Sequence, residues 1–166
     1  MNLLKIISSR RSIRKFKKNP PSQKNIDKIL EAARWAPSGL NNQPWKFLVI
    51  KDVNKRNFIS GFSGYSSIFK EAPILIVVCL DLSKSYNRDK DLMAIGACIQ
   101  NMLLEAKSLN LGACWLGEII NKKKDVAVYL GIGKDLEIMA IIALGYPDET
   151  PCNIARKPIE SLLLNL

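Results

Sequence analysis

Arg10-Arg11-Ser12-Ile13-Arg14-Lys15 and Ala36-Pro37-Ser38-Gly39-Leu40-Asn41-Asn42-Gln43-Pro44-Trp45 are the two stretches that decide how this 166-residue chain is read. The first offers guanidinium forks and a hydroxyl to an anion, because arginine binds phosphate oxygens bidentately. Alternate residues of an extended segment face the same way, so Arg10, Ser12 and Arg14 can converge on one ligand; a solvated basic face is the alternative. In the second stretch Pro37 and Pro44 constrain the backbone, Gly39 permits unusual dihedrals, and Asn41 and Gln43 supply donors and acceptors. Plain turn chemistry would also account for it. Together the two suit a ligand with a phosphate at one end and a flat, hydrogen-bonding ring at the other.

The charge of the chain points to the same place. Of its 25 Lys and Arg, eight lie in residues 1–24, which contain no Asp or Glu, and the remainder is close to balance against the 15 acidic residues. The net charge of +10 is therefore local. A basic arm for nucleic acid would give the same count. Against it, Phe16 is the one aromatic available there for stacking, and no nucleic-acid motif follows.

Histidine is absent, which excludes Ser-His-Asp and Cys-His catalysis and every histidine-containing metal site. The four cysteines, Cys79, Cys98, Cys114 and Cys152, are widely spaced and read as small hydrophobes rather than as disulfide or metal partners. Chemistry carried without imidazole favours a cofactor, and FMN meets the description of phosphate plus fused ring. No apolar run reaches the length of a membrane span, and the N-terminus lacks the features of a signal peptide, so a cytoplasmic protein is expected.

Length and the lack of any linker predict one domain over residues 1–166. Periodicity predicts helices over 3–9, from an N-cap at Ser22 to residue 35, over 89–108 and over 122–130. Strands are predicted at 46–51, 74–80, 111–116 and 138–144, with 74–80 covered on both faces. Residues 52–72 read as irregular, with a mobile loop at 61–67. The class is α+β or α/β, a mixed sheet sandwiched by helices. The tail from 148 to 166 has few apolar residues before Leu162–Leu164, so docking on a second subunit is expected of it.

Two further segments could complete such a site, one at the ring and one at the phosphate, against the plainer readings of a strand-end turn and surface charge. Gly112-Ala113-Cys114-Trp115-Leu116-Gly117 ends a strand, where glycine lets backbone N–H groups come close. Arg156-Lys157 adds a second basic pair near the C-terminus. With Gly145-Tyr146-Pro147, these motifs and the two opening ones, in this order along nearly the whole chain, resemble the nitroreductase family of FMN-dependent oxidoreductases.

The resemblance implies an α+β nitroreductase-like fold and a homodimer with exchanged C-terminal segments and two FMN sites at the subunit interface. It implies that Arg10, Ser12 and Arg156 hold the phosphate and ribityl end, assisted by Arg11 and the adjacent Lys157, and that Arg14 reaches the pyrimidine edge. Pro37, Ser38, Gly39 and Asn41 of the other chain would pack against the ring, with the N–H groups of Leu116 and Gly117 facing flavin N5. The family often has a second serine where this chain has Gly39. The implied reaction takes hydride from NADH or NADPH through N5 to a small acceptor, a nitroaromatic or quinone, by ping-pong kinetics, with no catalytic side chain, metal, membrane or nucleic acid. Similar-looking relatives dehalogenate aromatic rings or break down the flavin; the short 81–91 segment leaves little room for the lid such reactions need.

Overall fold

The computed structural model describes residues 2–152 and 154–164. Four strands, β1 (Trp45–Ile50), β2 (Ile74–Asp81), β3 (Gly112–Leu116) and β4 (Leu136–Gly145), form one sheet in the order β1-β2-β4-β3. Every pairing of these strands is antiparallel. The mixed sheet expected from the sequence is thus corrected: among the described residues the one parallel contact is an isolated bridge between Ser12 and Ala113. Alternation of strands with helices does not fix strand direction when the connections are free to return at either end.

All eight residues of β2 are buried, as its unbroken apolar run predicts. Ile74, Ile76, Val78 and Leu80 point into one core, and Leu75, Val77 and Cys79 into the other. The first core is closed by α2 (Gln23–Arg34) and α5 (Arg88–Ser108), through Ile26, Ile29, Ile95, Ile99 and Met102. The second is closed by α3 (Val53–Ser60), α4 (Ser66–Glu71) and α6 (Lys123–Leu130), through Ile59, Phe69 and Val126. A register shift at Val78/Cys79 places Ile138 on the same face as Ile141 despite their odd spacing.

Residues 52–72 correct a second expectation, since the segment read as irregular contains α3 and α4. Asp52 caps α3 by accepting from the Lys55 N–H at 2.8 Å, and each helix is too short to show an amphipathic period. The loop expected to be mobile is tied down, because Ser63 donates to Glu118 at 2.5 Å and the Gly64 N–H donates to the same carboxylate. A first helix, α1 (Leu3–Ser9), precedes the sheet. Among the described residues no helix is long and apolar enough to cross a membrane.

Glu137 clamps the start of β4 to two helices. It accepts a bidentate pair from Arg88 at 2.7 and 3.0 Å and a further bond from Lys123 at 2.5 Å. Arg88, outweighing the opposing effect of burial, and Lys123 bring its pKa from 4.5 to about 2. A folded-state pKa below the unfolded one gives stability that is complete above the ordinary carboxylate range and is lost as pH falls towards the folded value. Melting temperature should therefore fall between about pH 4.5 and 2, and Glu137→Gln should start lower at neutral pH and lose less over that window. Parallel pH–melting curves would show Glu137 to be idle.

Candidate cofactor site

Arg10 closes α1, its N–H donating to Ile6 O at 3.0 Å. The chain then runs extended along the outer edge of β3, with Ser12 bridging Ala113 and the Ile13 N–H donating to Ala113 O at 3.1 Å. Ile13 and Phe16 are buried, which turns the polar residues of the segment outward. Gly112 permits the crossing, because a Cβ there would lie 2.7 Å from the Ile13 side chain.

Arg10, Arg11, Ser12, Arg14, Glu149 and Arg156 line a cleft of about 210 Å³, so the two basic motifs do converge. Lys157 is exposed and does not line it. Among the described residues, neither Arg10 nor Arg156 has an ion pair or side-chain hydrogen bond. Burial, and then repulsion from Arg156 and Arg11, lower the Arg10 pKa. Arg11 spends part of its fork on α1, donating to Ser8 O at 2.7 Å and Arg10 O at 2.9 Å. That places it as a cap on orphan helix carbonyls as much as a cleft cation.

Glu149 is the residue that sequence reasoning missed here. Its Oε1 accepts from the Arg14 N–H and, at 3.2 Å, from the Lys15 N–H. Flanking main-chain bonds, Lys17 N–H to Tyr146 O at 2.9 Å and Asp148 N–H to Lys15 O at 3.0 Å, fasten the basic segment to the exit of β4. The signal lay in the acidic pair Asp148-Glu149 directly beyond Gly145-Tyr146-Pro147. Beneath the cleft, Cys114 is buried and its thiol pKa is raised by that burial, in line with a packing role. Cys79 and Cys98 are pushed up to about 11 and 12 in the same way, and all four cysteines are free.

The amide-rich reversal lies elsewhere. Leu40, Asn41 and Gln43 have φ of 54°, 55° and 45°, left-handed values that cost a residue with a Cβ about 1–2 kcal/mol each. Two anchors hold this conformation. Ser38 Oγ accepts from the Gln43 N–H at 3.0 Å, and Asn42 Nδ2 donates to Asp91 at 2.7 Å and to Lys84 O at 3.0 Å. Asp91 is fully buried and also accepts from Ser85 Oγ at 2.7 Å and from the Tyr86 and Asn87 N–H groups. Burial pushes its pKa up, but the bonds from Ser85, Asn42, Asn87 and Tyr86 prevail and leave it lowered.

Strand register fixes the distance between the two halves. Trp45, which follows the reversal, pairs with Leu80 and through it with Glu137, at one end of β4. Ser12 meets Ala113, which pairs with Leu144 at the other end. With β1 at one edge and the basic segment outside β3 at the other, the halves are separated by roughly 19 Å across the strands and roughly 20 Å along them. Leu116 and Gly117 lie at the far end of β3 from Gly112, and the Trp115 indole stands over Gly117, 3.6 Å from where its Cβ would be.

The α+β chain thus carries an arginine-lined cleft at one corner of its sheet and an amide-rich reversal at the opposite corner. The model of the nitroreductase family matches residues 7–63 and 62–146. A protein of Archaeoglobus fulgidus, provisionally named NADH dehydrogenase/NAD(P)H nitroreductase, is 37% identical over 150 residues, covering 88% of this chain and 86% of its own. The NADPH-flavin oxidoreductase of Vibrio harveyi is 29% identical over 162 residues, covering 90% and 68%. A crystal structure described as a nitroreductase from Desulfovibrio desulfuricans in complex with FMN superposes with a TM-score of 0.95 at 42% identity, covering 100% of this chain and 97% of that one. The chain belongs to the nitroreductase family of FMN-dependent oxidoreductases.

Repulsion at the cleft makes a prediction. In ligand-free protein at low salt, Arg10→Met should melt at or above wild type, by up to a few degrees, and the gap should close as salt rises. A clearly lower melting temperature would mean that Arg10 has a structural partner.

Proposed function

We propose that the protein is a homodimeric, FMN-dependent NAD(P)H oxidoreductase that passes hydride to a small acceptor such as a nitroaromatic or quinone. The observation that carries the reading is the cleft in which Arg10 and Arg156, neither with an ion pair among the described residues, meet Ser12, in a chain 42% identical to a protein crystallised with FMN. The residues present fit the cofactor: Arg10, Ser12 and Arg156 meet the requirements of a phosphate, and the reversal offers amides to a planar ring. When bound, FMN supplies two-electron chemistry at N5.

The roles of the residues follow from their chemistry. Arg10 and Arg156 hold the phosphate with the Ser12 hydroxyl, and Arg11 fixes the end of α1 behind them, with Lys157 adding charge nearby. Arg14 places a permanent cation at the pyrimidine edge, where negative charge develops on reduction. Main-chain N–H groups of Leu116 and Gly117 serve the N5 side. Pro37, Ser38, Gly39 and Asn41 come from the second copy, since within one chain they sit at the wrong corner. Water delivers protons to the acceptor, in keeping with the absence of histidine.

The tail supports the dimer. Ile154, Ile159, Leu162, Leu163 and Leu164 are all exposed, between 61% and 89%, and burial on a second copy would remove that apolar surface from water. The segment from 148 was expected to dock in this way; of it, Asn153, Asn165 and Leu166 lie outside the described residues.

Light scattering should give twice the chain mass of 18.6 kDa, and desalting after incubation with FMN should leave a yellow protein bleached anaerobically by NADH or NADPH. Initial-rate plots at several acceptor concentrations should be parallel, as ping-pong kinetics demands. Arg14→Ala should slow bleaching at least roughly tenfold, because a hydrogen bond to a charged group contributes about 1.5–3 kcal/mol, with little change in melting temperature. A colourless monomer would sink the reading, and unchanged bleaching would remove Arg14 from it.

A further inference from the structure

Tyr86, in the loop between β2 and α5, stands where residue 39 would carry a side chain. A Cβ on Gly39 would lie 1.8 Å from the Tyr86 hydroxyl oxygen and 2.7 and 2.9 Å from two of its ring carbons. The phenol oxygen is therefore little more than one covalent bond from the position of that Cβ, and any larger residue at 39 would collide with it. The glycine is the room that the phenol needs.

The placement is built into both loops. The Tyr86 N–H donates to Asp91 at 3.2 Å, while the same carboxylate grips Asn42 of the reversal at 2.7 Å. On the outer side the Lys90 ammonium stands 5.6 Å from the Tyr86 ring centroid. Yet Tyr86 is 43% exposed, and among the described residues its hydroxyl has no hydrogen-bond partner. A phenol that merely filled the core would be covered, and one that served the fold would spend its hydroxyl within the chain.

We infer that Tyr86 is a cofactor-site residue: its hydroxyl is the polar group that the Pro37–Asn41 reversal presents at position 39. The inference rests on the proposed flavin site. Tyr86 supplies a neutral hydroxyl, able to donate or accept, to the hydrogen-bonding ring that this reversal packs against. The side chain of position 39 is thus delivered from another loop, and Asp91 joins the two loops.

The test is titration of the full-length chain with FMN, followed by quenching of flavin fluorescence, beside thermal melts without FMN. Tyr86→Phe should keep the wild-type melting temperature and raise the FMN Kd about 3- to 10-fold, the range expected for one lost hydrogen bond. Gly39→Ser should displace the phenol, lowering both melting temperature and affinity. In Gly39→Ser/Tyr86→Ala the space is vacated and a hydroxyl returns on residue 39, so the double variant should bind FMN more tightly than Tyr86→Ala. Wild-type affinity in Tyr86→Phe, or a double variant no tighter than Tyr86→Ala, overturns the inference and leaves the flavin site standing. Failure of the wild-type chain to bind FMN overturns both.

Discussion

Burial of β2 on both faces is the constraint from which the rest of the architecture follows. A strand with no polar residue until Asp81 cannot show either face to water, so the sheet needs a helical layer on each side. α2 and α5 form one layer, α3, α4 and α6 the other, and each draws on alternate residues of the same strand. What remains for polar work is the perimeter: the outer edges of β1 and β3 and the loops at the strand ends. Asp91, a fully buried charge, sits where α5 begins and holds loops together rather than helices.

Charge is handled in two different ways on that perimeter. Glu137 is matched by Arg88 and Lys123, and Glu31 by Arg34, so these groups stabilise the fold or stay neutral towards it. Arg10 and Arg156 repel one another without an acid between them, and Glu149, the carboxylate at hand, is directed to the N–H groups of Arg14 and Lys15. A fold selected for stability alone would pair such cations. Leaving them unpaired favours any anion that enters, because its charge relieves the repulsion as well as meeting two guanidinium forks.

The sheet and its buried helices were legible because their signals are dense: Ile74–Leu80 is continuous, and α5 carries apolar residues around most of its circumference. α3 and α4 were not, because two short helices that each bury a residue or two leave no period to read. The basic segment and the reversal were legible as composition, but their placement at opposite corners was not, since that depends on strand register. Glu149, Asp91 and Tyr86 were missed for a shared reason. Each acts on a loop distant in sequence, and a single acid or phenol has no local pattern to mark it.

The distance between the corners bears on the assembly. A gap of roughly 19 Å across the strands, with roughly 20 Å along them, exceeds what any rotamer of Arg14 or Asn41 can bridge. Within one chain the two motifs would then be unrelated, and the strain at Leu40, Asn41 and Gln43 would serve nothing. In the proposed dimer, a twofold axis bringing one corner against the opposite corner of a second copy would make both contacts at once and give two equivalent sites for one interface. It would also give the exposed tail an apolar surface to cover. On that reading the left-handed reversal is shaped for a neighbour's ligand, which is why its reason cannot be found in its own chain.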